Sequence, residues 1–356
     1  MARYTVEAWQ GKDLFVGIDM HLKQWHVTIL NEDGLRLFSN RIAGTAEAID
    51  KVLSRYGEAK EIFAVYEAGY FGFWLYDFLV DMGVSARVTP PSLIPSQSGN
   101  RVKTDPIDSF KLADYLRTDL LASIYVPTRE ERCHRQVSRR RRQFMKDRVR
   151  VQLRIKAELR YMGIDMPEES RGWWSGKFVT ALRDVHLGDP YAQESFENML
   201  EQYDGLCELV NRQTTLLWQL ARTDTYRDRV GILTSIPGVG WLSAMEILLE
   251  LQDVARFKSA DALAAYVGLT PGQHSSGEHV RHGRITRQEK PIVRALLTQA
   301  AWRLIEKDPA MQEKYERMKA PAGGKRAIVG VARNLLGRMR RILLNGEPYQ
   351  LGLIAG

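Results

Sequence analysis

Cysteine is nearly absent: Cys133 and Cys207 are the only two in 356 residues. They are too few and too far apart for a disulfide framework or a zinc site, and a reducing cytoplasm suits them. No apolar run reaches the roughly 18 residues of a membrane span. The opening MARYTVEAWQGKDLF has no apolar stretch behind a basic start, so no signal peptide is expected. Internal repeats and low-complexity segments are also missing. Acidic residues are in deficit, with 51 Lys and Arg against 43 Asp and Glu, a net charge of +8. That excess suits a polyanionic partner, most simply nucleic acid, although a basic surface kept for solubility has the same charge. With 44% apolar and 26% charged residues, the chain reads as soluble and globular, long enough for two or more domains.

The first third predicts the order βββαβαβα. LFVGID (14–19) is a short apolar run ending in an acid, WHVTIL (25–30) alternates in part, NEDG is an Asp-Gly turn, and LRLFSNRI is a third strand. TAEAIDKVLSRYG reads as a helix with Thr45 as its cap and Gly57 beyond its end. EIFAVYEA is a buried strand ending near Glu67, GFWLYDFLVDMG a helix, and VSARVTPP a last strand. A Pro, Ser and Gly loop then leads to RVKTDPIDSFKLADYL, the start of another helix. This order predicts an α/β domain, a mixed sheet with helices on its faces.

The centre changes character. Residues 129–160 carry thirteen basic and four acidic side chains, an excess of nine, and no glycine or proline. One long helix is expected. Such a run is either a solvated face or a phosphate-binding surface. Charges all round the helix, Arg139, Arg140, Arg141 and Arg142 among them, favour nucleic acid on more than one side, RNA as well as DNA. SFENMLEQYDGLCELVNRQTTLLWQLARTD follows with apolar residues at helical spacing, a long helix or coiled coil. From about Val230 the chain reads as all-α: ILTSIPGVGWLSAMEILLEL as helix, tight turn, helix; SADALAAYVGL with Ser259 as cap; then TPGQHSSGEHVRHGRIT as a polar, glycine-punctuated loop; and two further helices. The expected divisions are 1–126, 127–229 and 230–356.

Four acids stand out. Asp19 and Glu67 close strands, and Asp105 and Asp108, three apart at a helix start, lie on one helical face. Alone, each reads as a cap or a surface charge, Asp105 with Pro106 at the first helical position for example. Together they form a set able to hold two divalent cations about 3.5–4 Å apart, one activating a nucleophile and one the leaving oxygen. Oxygen ligands suit Mg²⁺ or Mn²⁺. Such cations would let Asp105 and Asp108 stay ionised side by side. SIPGVG (235–240) resembles the turn of a helix-hairpin-helix, in which Gly238 and Gly240 let backbone N–H groups approach a phosphate; a plain helix–helix turn is the alternative. In the loop 268–287, serines stand beside His274, His279, His282, Arg281 and Arg284. A serine beside cations is how phosphodiester nucleophiles are arranged, and a polar surface loop is the plain alternative. Lys103 and the arginines of the loop complete the candidate nucleic-acid contacts.

In combination, VGIDMHLKQWHVTIL, VYEAGYFGFWLYDFLVDMG, NRVKTDPIDSFKLADYLR, SIPGVGWLSAMEILLEL and YVGLTPGQHSSGEHVRHGRITR resemble the transposases with an N-terminal DEDD, RuvC-like domain and a C-terminal serine domain. That family includes Piv-type invertases and recombinases guided by a bridge RNA. The resemblance runs over nearly the whole chain in the same order. It implies a ribonuclease H-like N-terminal fold, Asp19, Glu67, Asp105 and Asp108 as the four acids, and Ser276 as nucleophile, with Ser275 one alignment step away. It further implies recombination of donor and target DNA through a covalent serine–phosphate linkage, a structured noncoding guide RNA, and a homotetramer, a dimer of dimers joined through the central coiled coil, with sites shared between subunits. One departure is Ser109, where the family usually has alanine after the fourth acid. A RuvC-like junction nuclease using water, which would need no serine, and a non-catalytic nucleic-acid-binding protein are the other readings.

Overall fold

The acid that ends LFVGID sits on the central strand of a sheet. The computed structural model describes residues 6–95, 105–167, 174–276, 279–286 and 290–352. In it β1 (Asp13–Met20) is the middle of five strands in the order β3-β2-β1-β4-β5. β2 (Gln24–Asn31) and β3 (Arg36–Ala43) follow antiparallel, as the Asp-Gly turn predicts. β4 (Glu61–Glu67) pairs parallel with β1, and β5 (Ser85–Thr89) parallel with β4. Parallel neighbours need crossovers, supplied by α1 (Ala46–Leu53), capped by Thr45, and α2 (Trp74–Asp81). The expected mixed sheet with helices on its faces is what forms.

Strand side chains alternate between faces. Leu14, Val16 and Ile18 of β1 pack with Ile49 of α1 and Leu75 and Leu79 of α2. Phe15 of β1 and Phe63 and Val65 of β4 lie on the other face, against Leu112 and Leu116 of α3 (Asp105–Arg117). Gly17 shares that second face. A Cβ there would stand 2.0 Å from the Ser109 carbonyl oxygen and 2.6 Å from the Ala113 nitrogen. The backbone of α3 lies directly on β1, and glycine is what permits it.

The chain divides into two compact units, Met1–Arg129 and Glu130–Gly356. The central helices, expected as a region of their own, belong to the second. α4 (Arg129–Tyr161) is the predicted long helix. Its Val151, Ile155 and Leu159 pack with Phe178 and Leu182 of α5 (Gly176–Arg183), a helix not anticipated, and with Phe196 and Leu200 of α6 (Pro190–Ala221). Arg141 of α4 donates to Thr214 of α6 at 2.8 Å, and Arg148 lies 4.0 Å from Cys207 Sγ, so the two helices run antiparallel. Part of the apolar stripe of α6 is therefore covered within the chain.

α7 (Arg227–Thr234), α8 (Trp241–Leu251), α9 (Ala260–Val267), α10 (Pro291–Leu304), α11 (Pro309–Ala322) and α12 (Gly324–Asn345) build the remaining core. Leu217 and Ala221 of α6 are part of that core, and Val137 of α4 packs against it, which is why centre and C-terminal region form one unit. α11 was not anticipated. The segment read as an open polar loop is instead a hairpin: β6 (Pro271–Ser276) pairs antiparallel with β7 (His279–Ile285). Its strands form without the apolar alternation that would mark them in sequence. Among the described residues no helix is long and apolar enough to cross a membrane.

Candidate active site

Alternation along the strands gathers the acids. Phe15 and Gly17 lie on the α3 face of β1, so Asp19 does too; Phe63 and Val65 place Glu67 there at the end of β4. Because Gly17 lets α3 press onto the sheet, the first turn of that helix brings Asp105 beside Asp19. His21, just past β1, completes a group: ligand atoms of Asp19, His21 and Asp105 all lie within 4.8 Å of one another. His21 Nε2 is 3.4 Å from Asp19 Oδ2 and 3.4 Å from Asp105 Oδ1. Arg41 of β3 donates to Asp105 Oδ2 at 3.0 Å. Glu67 and Asp108 stand outside this tight group, Glu67 at an exposed strand end and Asp108 one helical turn from Asp105.

The electrostatics are those of crowded carboxylates. Burial pushes Asp19 above the usual carboxylate range, and the charges of Asp105 and Asp108 add to that push against the pull of His21. Desolvation acts upward on Asp105 as well, but His21 and Arg41 outweigh it and hold its carboxyl low. Two acids of one cluster are thus driven apart in proton affinity. Beneath them, buried His26 pairs through Nδ1 with Ser109 Oγ at 2.8 Å, and Ser109 also meets Thr28 Oγ1 at 2.8 Å. Burial lowers the His26 pKa, keeping the ring neutral. Ser109, the departure from alanine, therefore ties α3 to β2 by hydrogen bonds.

Residues 16–163 match the model of a DEDD transposase domain of the IS110 type, and residues 230–316 match that of the transposase IS116/IS110/IS902 family. Each match covers a different part of the chain, in the order the motifs predict. The chain belongs to the IS110/IS116 transposases. It is 28% identical over 337 residues to the protein y4qE of Sinorhizobium fredii, covering 93% of this chain and 82% of that one. It is 25% identical over 295 residues to the transposase for insertion sequence element IS1533 of Leptospira borgpetersenii, covering 82% and 85%. A shorter stretch, 137 residues at 29%, resembles the pilin gene-inverting protein of Moraxella bovis, with 37% of this chain and 42% of that one covered. The transposase is an enzyme that cuts and rejoins DNA.

A DEDD domain implies a divalent cation. The donor set of the transposase fits one: carboxylate oxygens converge from β1 and α3 beside His21, and the charges of Asp105 and Asp108 raise the proton affinity of Asp19.

The other predicted residues fall elsewhere in the transposase. Ser276 ends β6 and pairs with His279; Ser275 pairs with Val280. Arg281 and Arg284 lie on β7, while Lys103 lies outside the described residues. Gly238 (φ +88°) is not open to a phosphate as the motif suggests: a Cβ there would meet Arg303 Cβ of α10 at 2.6 Å and the Ala300 carbonyl oxygen at 3.0 Å. Its bareness serves packing within the turn. Gly240, the residue before α8, faces open space. The reading of α4 as charged all round is corrected in the same way. Arg139 and Arg142 bond Glu250 of α8, Arg142 at 2.7 Å, and Arg141 lies 3.5 Å from Glu246. Arg141 and Arg142 side chains are only 13% exposed. What the motifs missed is His21, Arg41 and the pair Glu246 and Glu250. The last two were legible as acids four apart on an otherwise apolar helix.

Proposed function

We propose that this transposase cuts and rejoins the ends of an insertion sequence through a serine linkage, Ser276 Oγ attacking a DNA phosphorus while the P–O bond to the departing strand breaks. The observation that carries the reading is the convergence of Asp19 and Asp105, with the charge of Asp108 also acting on Asp19. This is the acid set that a ribonuclease H-like domain presents. Asp19, Glu67, Asp105 and Asp108 are the ligands for Mg²⁺ or Mn²⁺. A bound cation would supply charge neutralisation at the phosphate and help remove the serine proton. A free serine hydroxyl is a weak nucleophile at neutral pH, so the acids' task is to hold that charge in place. His21 and Arg41 position Asp105, and neutral His26 with Ser109 holds the first turn of α3 on the sheet.

Gly240, at the open start of α8, contacts backbone phosphate, and Arg140, Arg281, Arg284 and Lys103 add sequence-independent contacts. Donor and target DNA are chosen by pairing with a structured noncoding RNA, and the working assembly is a homotetramer. These last two parts rest on the family resemblance. Incubating the purified protein with cognate end DNA in Mg²⁺ should give a covalent protein–DNA adduct that mass spectrometry locates on Ser276 and that Ser276→Ala abolishes. Strand exchange by a variant lacking both Ser275 and Ser276 hydroxyls would end the serine mechanism and leave a water-using nuclease. An adduct on Ser275 moves the assignment by one residue.

A further inference from the structure

The second unit carries a basic groove that neither family match assigns a role. It lies between α9, α11 and α12, with a cavity of about 670 Å³, and α12 is beyond the matched residues 230–316. Five cations line it: Lys314 and Arg317 from α11, and Arg333, Arg338 and Arg341 from α12. Lys314 and Arg317 are three apart, as are Arg338 and Arg341, so each pair shares a helix face. Two acids, Asp261 and Glu313, also line it.

The charges do not balance. Arg333 is held by Asp261 at 2.8 Å and Arg338 by Asp308 at 3.0 Å. Lys314 Nζ meets only the neutral Asn334 Oδ1, at 2.5 Å. Among the described residues no carboxylate within ion-pair distance partners Lys314, Arg317 or Arg341. Burial first, then the neighbouring cations Arg317 and Arg338, push Lys314 below its ordinary value. Small residues, Ala260, Ala310, Gly330 and Gly337, line it together with Met311, Met318 and Asn334. Arg333 and Arg341 are eight residues apart, about 12 Å along the helix at 1.5 Å per residue. That exceeds one free phosphate and matches a few nucleotides at about 3.4 Å of rise per phosphate on one strand.

We propose that this groove is a second DNA-contact site, in which Lys314, Arg317 and Arg341 hold successive phosphates of one DNA strand apart from the acidic site. DNA is the occupant because the chain is a DNA transposase and the groove offers charge and length.

The test is fluorescence anisotropy of the full chain with a labelled duplex, a single-stranded DNA and an RNA of the same sequence, each titrated with salt in EDTA. EDTA removes the metal step, so the result stands whatever becomes of the serine mechanism. In the variant Lys314→Gln/Arg317→Gln/Arg341→Gln the slope of log K against log salt for DNA should fall by about 2–3, at 0.7–0.9 per phosphate contact. An unchanged slope overturns the proposal, and so does a fall confined to RNA. Circular dichroism shows whether the triple variant folds. If it does not, Arg341→Gln alone, at an exposed position, decides: a fall of about 0.7–0.9 supports the groove, and none overturns it.

Discussion

A missing side chain places the acidic site. Gly17 lets the Ser109 carbonyl oxygen and the Ala113 nitrogen of α3 come within 2.0 and 2.6 Å of where a Cβ would be. Both are backbone atoms of a helix packed through Leu112 and Leu116, so neither can swing aside. Gly17→Ala should therefore destabilise the first unit by about 1–3 kcal/mol or more, the scale of overpacking, and lift Asp105 and Asp108 from beside Asp19. Urea denaturation of the full chain reads the first effect and Mn²⁺ binding the second; a variant as stable as the parent with full metal affinity would contradict the account. The approach of Asp105 to Asp19 was legible in sequence, because a strand end and a helix start lie on one side of the sheet, while Glu67 and Asp108, expected with them, stand outside the tight group. His21 and Arg41 were not legible. Arg41 reaches Asp105 only through the pairing of β1 with β2 and β2 with β3, a relation between residues 64 positions apart. Ser109 looked like a minor substitution, yet it is fully buried and carries the bonds to His26 and Thr28.

At the scale of elements, α4 is a helix whose length was plain and whose orientation was not. Composition showed thirteen basic residues in one run. It did not show that Arg139, Arg141 and Arg142 turn inward, because their partners Glu246 and Glu250 come over a hundred residues later in a segment that reads as core. Burial works against Glu250, but Arg139, Lys290 and Arg142 prevail and take its pKa down to about 2, while burial holds Glu246 above its usual range. Of the two, Glu250 is the one held charged. A lowered carboxyl stabilises the fold above its unfolded value of 4.5 and loses that contribution as pH falls toward about 2. Acid unfolding of the second unit should therefore steepen between about pH 4.5 and 2. Glu250→Gln should flatten this limb and cost up to about 3–5 kcal/mol at pH 7, since it leaves buried Arg142 with only Glu246, at 3.9 Å, as its carboxylate partner. Tryptophan fluorescence across pH for both proteins checks it; matching curves would mean that the cluster is not coupled to folding. Neutralising Arg139–Arg142 as a block would mix this loss with any effect on DNA, so Arg140 alone is the cleaner probe of phosphate contact.

For the whole molecule, the two faces of α4 differ. Val151, Ile155 and Leu159 are buried against α5 and α6. Val149 and Leu153, four apart and about half a turn from that face, are 47% and 61% exposed. On α6, Leu216 and Trp218 are each 46% exposed although Leu217 between them is buried. The sequence offered a coiled coil, and part of its apolar stripe is spent within one chain, but these side chains remain outside. Apolar residues beside Arg150 and Arg154 suit a helix face that meets another copy, the cations staying at the rim where solvent reaches them. The tetramer of the proposed function therefore predicts a specific dependence. Light scattering coupled to size exclusion should give four chains per particle for the parent. Val149→Glu/Leu153→Glu should give a smaller particle of unchanged helix content, because two carboxylates facing their counterparts cannot be buried unpaired. A monomeric parent would remove the tetramer itself. A variant that keeps the parent's mass would remove this face of α4 from the assembly and leave the exposed pair on α6 to carry it.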